Sequence, residues 1–255
     1  MTKENVENAS LVVAVISPAY CEWANLVQLC APISNLLSQF GEGSRWIIVC
    51  EPEPTESDVA QMLMEQPHVR VVSRTPNKTT FADAIQMGLK QLTPNDDVVV
   101  FLDADQSHNP DEVPALVGAL AKNPELDVVA SSRYVKGGRT SNPFHLRMMS
   151  RTLNLIFSRM LGVKLQDCSN NVKAYRAPLL AGRTLTSQNF EAVEELLVIA
   201  TESKGRSLNI LEVPGSFRER VEGTSKRRMA HFVGTYLLCF PEYEKRIRRA
   251  QSFQG

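Results

Sequence analysis

The feature that most restricts how this chain can fold is a succession of short, almost purely apolar runs, each followed by a stretch of different periodicity. Leu11-Val-Val-Ala-Val-Ile16, Trp46-Ile-Ile-Val-Cys50, Val69-Arg-Val-Val-Ser73 and Asp97-Val-Val-Val-Phe-Leu102 are rich in β-branched residues. That is the pattern of strands buried on both faces of a parallel sheet. The segments 22–39 and 79–92 repeat apolar residues at helical spacing. Strands alternating with helices predict an α/β fold, a Rossmann-like, doubly wound and mostly parallel sheet flanked by helices. Ligands of such sheets sit beyond the carboxyl ends of the strands, so the residues that follow each run matter most. A fifth strand is expected at 128–132, then the loop Lys136-Gly-Gly-Arg-Thr-Ser-Asn-Pro143, a helix over 145–161, a second over 190–204 and a strand at 208–213.

The bulk properties narrow the class. At 255 residues the chain is long enough for one large domain. Its apolar share of 43% and charged share of 22% are ordinary for a globular protein. No stretch reaches the roughly 18 consecutive apolar residues of a membrane-spanning helix. Residues 1–10 are polar and acidic, unlike a secretory signal, so a cytoplasmic protein is expected. Cys21, Cys30, Cys50, Cys168 and Cys239 show no paired spacing, which predicts reduced thiols, mostly in the core. Charge is uneven along the chain. Residues 1–130 carry 7 Lys and Arg against 18 Asp and Glu, and the remainder carries 21 against 10, a net −11 followed by +11. Either the second half meets an anion, or the halves neutralise one another where they touch.

The candidate chemistry begins at Phe101-Leu-Asp-Ala-Asp-Gln-Ser-His108, where an apolar strand runs into two carboxylates one residue apart. Hard oxygen ligands at this spacing suit Mg²⁺ or Mn²⁺, which keeps several waters and takes further ligands from a bound diphosphate. Asp-x-Asp alone is a common solvated turn; its place at a strand end is what favours the metal reading for Asp103 and Asp105. Cations follow after residue 130. Arg133 ends a strand, Arg147 and Arg151 lie one helical turn apart, and Arg220 and Lys226 flank a glycine-containing turn. Guanidinium forks match phosphate oxygens, although each alone reads equally well as a solvated surface residue. No cysteine presents itself as a base. His108 is the general-base candidate by sequence, with a supporting role the preferred reading.

These residues fall in an order that resembles the dolichol-phosphate mannose synthase branch of the family 2 glycosyltransferases. The resemblance rests on Pro18-Ala-Tyr-Cys-Glu22, Asp103-Ala-Asp-Gln-Ser-His-Asn-Pro110, Ser132-Arg-Tyr134 before Gly137-Gly138, Ser150-Arg151 with Asn154, Asp167 with Tyr175-Arg176, and Val213-Pro214 with Arg220, Gly223, Ser225 and Lys226. It implies a GT-A fold and an inverting transfer of a hexose, mannose first, from a nucleotide diphosphate sugar (GDP-mannose or a UDP-hexose) to a polyprenyl or dolichyl phosphate. It further implies that Pro18, Tyr20 and Glu22 line the nucleotide pocket, joined on the donor side by Glu51, Lys78, Ala104 and Lys226. Asp103 and Asp105, with Ser107, take the divalent metal; Arg133, Arg147, Ser150, Arg151 and Arg220 face the sugar and lipid phosphates. Asp167 matches an acidic position near the acceptor. A phosphate monoester is already anionic near neutral pH, so an enzyme of this kind needs no base, and positioning with charge neutralisation carries the catalysis.

The sequence departs from that pattern in places. Cys50-Glu-Pro-Glu-Pro54 stands where the family has Asp-Asp-Gly-Ser, leaving Glu51 as the carboxylate that replaces the base contact while Pro52 and Pro54 stiffen the loop. Thr80 and Ala82 replace glycines, and Asn170-Asn171-Val172 replaces Ser-Gly-Phe. A catalytic unit is expected at 8–225 and a basic amphipathic helix and tail at 226–255. In that tail Met229, Phe232, Val233, Tyr236, Leu237 and Phe240 form an apolar stripe, with Lys226-Arg-Arg228 before it and Lys245, Arg246, Arg248 and Arg249 after Pro241. Such a helix lies in a membrane interface, at a cytosolic membrane face, or packs on the core or in a homodimer contact. The alternatives to the lipid-linked transferase are a soluble transferase for a secondary metabolite or small phosphorylated acceptor, and a catalytically silent nucleotide-binding relative. No nucleic-acid recognition module is present.

Overall fold

The computed structural model describes residues 11–51, 57–218 and 229–252, with the side chains of Ser57 and of residues 229–237 outside that description. The four apolar runs are strands β1 (Val13–Pro18), β2 (Arg45–Cys50), β3 (Val69–Ser73) and β4 (Val98–Phe101). Helices α1 (Trp23–Leu37), α2 (Ser57–Met64) and α3 (Phe81–Leu89) connect them. Then follow α4 (Glu112–Lys122), β5 (Val128–Ser132), β6 (Arg139–Thr140), α5 (Phe144–Leu161), β7 (Lys173–Arg176), α6 (Ala192–Lys204), β8 (Ile210–Pro214), β9 (Ser216–Phe217) and α7 (Met229–Ser252). Helices α2 and α4, strand β7 and the short strands β6 and β9 add to the elements that the sequence pattern predicts.

The main sheet has seven strands among the described residues, in the order β3-β2-β1-β4-β7-β5-β8. All neighbours are parallel except β7, which runs antiparallel to both β4 and β5 and sets Lys173 opposite Phe101 and Tyr175 opposite Val128. Chain order reverses between β1 and β4, so a ligand crevice opens at their carboxyl ends. The expected period of two is visible in the core. Val13, Val15, Trp46, Ile48, Val98 and Val100 pack on one face with α1 and α4. Ala14, Ile16, Ile47, Val49, Val99 and Phe101 pack on the other with α3, α5, α6 and α7. Both faces are covered, which is why these runs carry no polar alternation. A Cβ at Gly88 would lie 2.4 Å from Cγ2 of Ile16, so glycine lets α3 close directly onto β1.

The apolar stripe ends at Phe240, but the C-terminal helix continues through Pro241 to Ser252. The reason is tertiary: Tyr243 and Ile247 are buried in the second core cluster, and Phe240 stacks on Phe157 of α5 with ring centroids 4.8 Å apart. Arg246 fastens it further, donating from Nε and Nη2 to Glu202 of α6 at 2.8 and 2.7 Å and from Nη1 to wholly buried Glu195. Of the predicted apolar stripe only Phe240 falls among the described side chains; Met229, Phe232, Val233, Tyr236 and Leu237 lie outside them, and Lys226 lies outside the described residues altogether.

Burial opposes the Glu195 carboxylate, but bonds from Ser187, Thr186 and Arg246 outweigh it and hold its pKa below the usual range. A depressed carboxylate contributes stability that is complete above its unfolded-state pKa and is lost as pH falls through the folded one. Arg246→Ala should therefore cost about 3 kcal/mol in urea unfolding at pH 7, because it strands a buried charge. The difference from the parent should shrink below about pH 4.

Candidate active site

Two short backbone segments at the switch point adopt a left-handed conformation with non-glycine residues, Cys21 at φ 54° after β1 and Gln106 at φ 59° after β4. Each costs on the order of 1 kcal/mol, and such strain persists only where the surroundings fix it. At Cys21 the amide donates to Glu51 Oε2 at 3.3 Å. At Gln106 the side-chain amide donates to Asn25 Oδ1 (2.9 Å) and Gln28 Oε1 (3.0 Å) of α1. Asn25 in turn donates to Glu22 Oε2 at 2.6 Å, so the β1 and β4 loops are tied through Glu22, Asn25 and Gln106.

The turn at Gln106 presents the carboxylates. Asp103 is partly exposed, and each of its oxygens has a partner: Oδ1 accepts from Asn171 Nδ2 at 2.9 Å, and Oδ2 lies 3.3 Å from His108 Nδ1. Asp105 is nearly buried and accepts the Ser107 amide at 3.0 Å. The Ser107 hydroxyl is buried 3.3 Å from His108 Nδ1, and Ala104 packs into the core. His108 itself is buried edge-on against Phe217, ring centroids 5.3 Å apart. Among the described residues no three His, Cys, Asp or Glu side chains form a complete metal cage. The carboxylates of Asp103 and Asp105 are hard oxygen donors, the ligand type that Mg²⁺ or Mn²⁺ takes.

The predicted donor-side residues gather at the β1–β3 side of the sheet. Glu51 is buried and accepts the Trp23 indole N–H at 2.8 Å as well as the Cys21 amide, so the carboxylate expected to meet a nucleobase also braces the loop that carries Tyr20. Pro18 ends β1, and Tyr20 is half-exposed beneath the guanidinium of Arg74, 5.6 Å from its ring. Lys78 pairs with Asp83 at 3.3 Å beside the capping box of α3, where Thr80 is the N-cap. Arg74 is the residue that sequence reasoning passed over. It follows β3, is 96% buried by virtue of an exposure of only 4%, and donates to the carbonyls of Cys50 (3.0 Å) and Thr79 (2.7 Å). Burial pushes its pKa down while Glu51 opposes that effect. Its position at a strand's carboxyl end was the available signal.

On the β7–β5 side Arg133 and Asp167 form a bidentate pair, Nε to Oδ2 at 2.8 Å and Nη2 to Oδ1 at 2.6 Å, with the Arg133 amide adding a third bond at 2.9 Å. Burial opposes the Arg133 charge, but Asp167 more than compensates and raises its pKa. Arg133 and Arg151 lie over the ring of Tyr134, at 5.3 and 5.0 Å from its centroid. Arg147 is exposed on the same helix, above Phe144. Ser150 meets Ser169, which also accepts from Arg133. The structure therefore gathers Arg133, Arg151, Ser150 and Asp167 around Tyr134 and Ser169, with Arg147 farther along α5; Arg220 and Lys226 lie outside the described residues.

The chain is 31% identical over 248 residues to a dolichol-phosphate mannosyltransferase of Pyrococcus furiosus, covering 95% of this chain and 64% of that relative. The chain thus spans less than two thirds of that relative's length. It is 27% identical to a polyprenol monophosphomannose synthase of Mycolicibacterium smegmatis, over 83% of this chain and 79% of the relative. Among solved structures, glucosyl-3-phosphoglycerate synthase from Mycobacterium tuberculosis, in complex with Mn²⁺, UDP and glucosyl-3-phosphoglycerate, superposes with a TM-score of 0.68 at 19% identity, covering 95% of this chain and 82% of that one. The Glycosyl transferase family 2 profile matches residues 14–182. With its GT-A fold, seven-stranded sheet and paired carboxylates at the end of β4, the chain belongs to glycosyl transferase family 2.

Proposed function

We propose that this protein is an inverting hexosyltransferase that moves a hexose, mannose first among candidates, from a nucleotide diphosphate sugar to a polyprenyl phosphate. The observation that carries this reading is the order of groups along the carboxyl edge of the sheet. The Tyr20, Glu51 and Arg74 pocket lies at β1–β3, the two carboxylates follow at β4, and the Arg133 and Arg151 pair stands beyond β7. A donor laid along that edge puts its nucleoside in the first, its diphosphate at the second and its sugar before the third.

An anionic phosphate oxygen held by Arg151 and the Arg133 edge attacks the anomeric carbon from the face opposite the diphosphate. The new C–O bond forms as the bond to the leaving diphosphate breaks, which inverts the centre. No proton needs to be removed, in keeping with His108 being enclosed between Asp103, Ser107 and Phe217. Asp103 and Asp105 would hold Mg²⁺ or Mn²⁺, whose charge offsets that of the departing diphosphate. Asp167 keeps the Arg133 fork in one orientation, so the guanidinium is positioned before substrate arrives.

In this reading 8–225 is the catalytic unit, and 226–255 is a basic tail that begins with Lys226-Arg-Arg228 and is fastened at its far end by Arg246. Among the described residues no helix is long and apolar enough to cross a membrane. The exposed arginines of α5 suit a water-soluble phosphate as well as a lipid-borne one, so a small phosphorylated acceptor is the second reading. Product analysis after crossing GDP-mannose and UDP-glucose with polyprenyl phosphate and with soluble phosphate monoesters decides between them. Transfer to the polyprenyl phosphate alone is expected; transfer only to a soluble monoester would replace the lipid reading.

Two substitutions test the site. Asp105→Ala should lower turnover about 100-fold or more with an unchanged circular dichroism spectrum, and activity like that of the parent would defeat the metal assignment. Arg151→Ala, on an exposed helix face, should raise KM for the phosphate acceptor about tenfold or more while leaving nucleotide affinity unchanged.

A further inference from the structure

Strand β7 enters the sheet beside β4, so the residues just before it stand level with the paired carboxylates. Phe101 is opposite Lys173, and Asn171 therefore arrives alongside Asp103. The two asparagines there are used differently. Asn170 has both ends occupied, Nδ2 donating to the Ser131 carbonyl at 2.8 Å and Oδ1 accepting the Val172 amide at 3.2 Å, and so shapes the turn. Asn171 has one end occupied. Its Nδ2 donates to Asp103 Oδ1 at 2.9 Å, while its Oδ1 has no hydrogen-bond partner among the described residues although the residue is 4% exposed.

The orientation of that amide follows from chemistry. An ionised carboxylate only accepts hydrogen bonds, so the NH₂ end must face Asp103 and the carbonyl end must face away from it. A buried carbonyl oxygen without a donor costs about 1–3 kcal/mol, which makes it a feature in want of a partner. The donor's path across the sheet says what that partner is. In the proposed reading the nucleoside lies on the β1–β3 side and the diphosphate at Asp103 and Asp105, so the next group toward β7 is the sugar, and its hydroxyls are donors. Asn171 stands where a glycine occurs in the Ser-Gly-Phe pattern that the loop otherwise resembles, so its side chain adds a polar group at this point.

We propose that Asn171 is a specificity-determining residue whose side-chain carbonyl accepts a hydrogen bond from a hydroxyl of the transferred hexose, while its amide end fixes Asp103. This rests on the transferase reading above and names the group that reads the sugar.

The test compares sugar-bearing and bare nucleotides on the full chain with Mn²⁺ present. Isothermal titration of GDP, GDP-mannose, UDP and UDP-glucose gives, for each pair, the affinity that the hexose adds. Asn171→Ala and Asn171→Gly are measured beside the parent, the glycine variant guarding against a folding defect in the first. Part of any loss will come from Asp103 losing its amide partner, and that part acts equally on both members of a pair. The expected result is that the bare nucleotide shifts less than its conjugate, and that the ratio of their affinities falls about 3- to 10-fold, the range for one hydrogen bond. A ratio unchanged in both variants overturns the proposal and assigns the carbonyl to a metal-bound water or to the loop alone. If the parent binds neither bare nucleotide, the transferase reading itself falls and the sugar contact with it.

Discussion

The ammonium of Lys173, wholly buried at the start of β7, donates to the carbonyls of Cys168 (2.8 Å) and Asn170. Burial lowers its pKa and the nearby Glu194 carboxylate works against that shift. The rest of the site depends on this clamp. It gathers the segment between α5 and β7 into a tight loop whose members face three ways: Asp167 to Arg133, Ser169 to Ser150 and Asn154, Asn171 to Asp103. An interior lysine is costly unless its donors are satisfied. Here two backbone carbonyls are aimed at one ammonium, and the loop can hardly move without unmaking those bonds.

The antiparallel insertion of β7 between β4 and β5 has a second consequence. It sets β4, which ends in the carboxylates, and β5, which ends at Arg133, two strand spacings apart, about 10 Å in the hydrogen-bonding direction. An extra strand there leaves room for a sugar between a diphosphate and an acceptor phosphate. If β5 paired directly with β4, Arg133 would be brought against the carboxylates of Asp103 and Asp105. Instead Asp167, itself braced by Glu212 through backbone amides, takes the Arg133 fork and leaves Asp103 to Asn171 and His108. Two carboxylates of opposite employment thus lie on either side of one short strand.

How far all this was legible in the sequence follows from the range of the interactions. Strands β3 and β5 lie at the residues expected, because a run of apolar residues buried on both faces needs no partner to be recognised. Asp103 and Asp105 were legible for the same reason: strand end and carboxylates are adjacent in sequence. Strand β7 was not, because Lys-Ala-Tyr-Arg reads as polar until the Lys173 clamp is known. The Arg133 and Asp167 pair spans 34 residues, and each residue alone points to phosphate or to an acceptor. That the charges meet each other depends on the β7 insertion, which no local pattern encodes. The helix through Pro241 escaped notice likewise, since its continuation depends on Tyr243, Ile247 and Arg246 docking on distant partners.

The uneven charge of the two halves had two explanations, and the ion pairs bear on them. The most buried pairs close within a half: Arg45 with Asp96 in the acidic part, Arg133 with Asp167 and Arg246 with Glu195 in the basic part. Asp127, with Lys204 and Arg206, reaches across. Among the described residues, mutual neutralisation at the contact is therefore a small part of the pattern. The surplus cations include Arg147, Arg151 and Arg159, exposed along α5. Exposed charges act at a distance set by screening, about 8 Å at physiological ionic strength, so a row on one helix draws an anion toward the helix end nearest Tyr134 more than it stabilises the fold. A donor diphosphate and an acceptor phosphate repel one another, and a site that joins them needs positive charge from both sides. In the proposed reaction the asymmetry read from the sequence would serve that requirement: arginines fixed on one side of β7, and on the other carboxylates that would recruit a cation of their own.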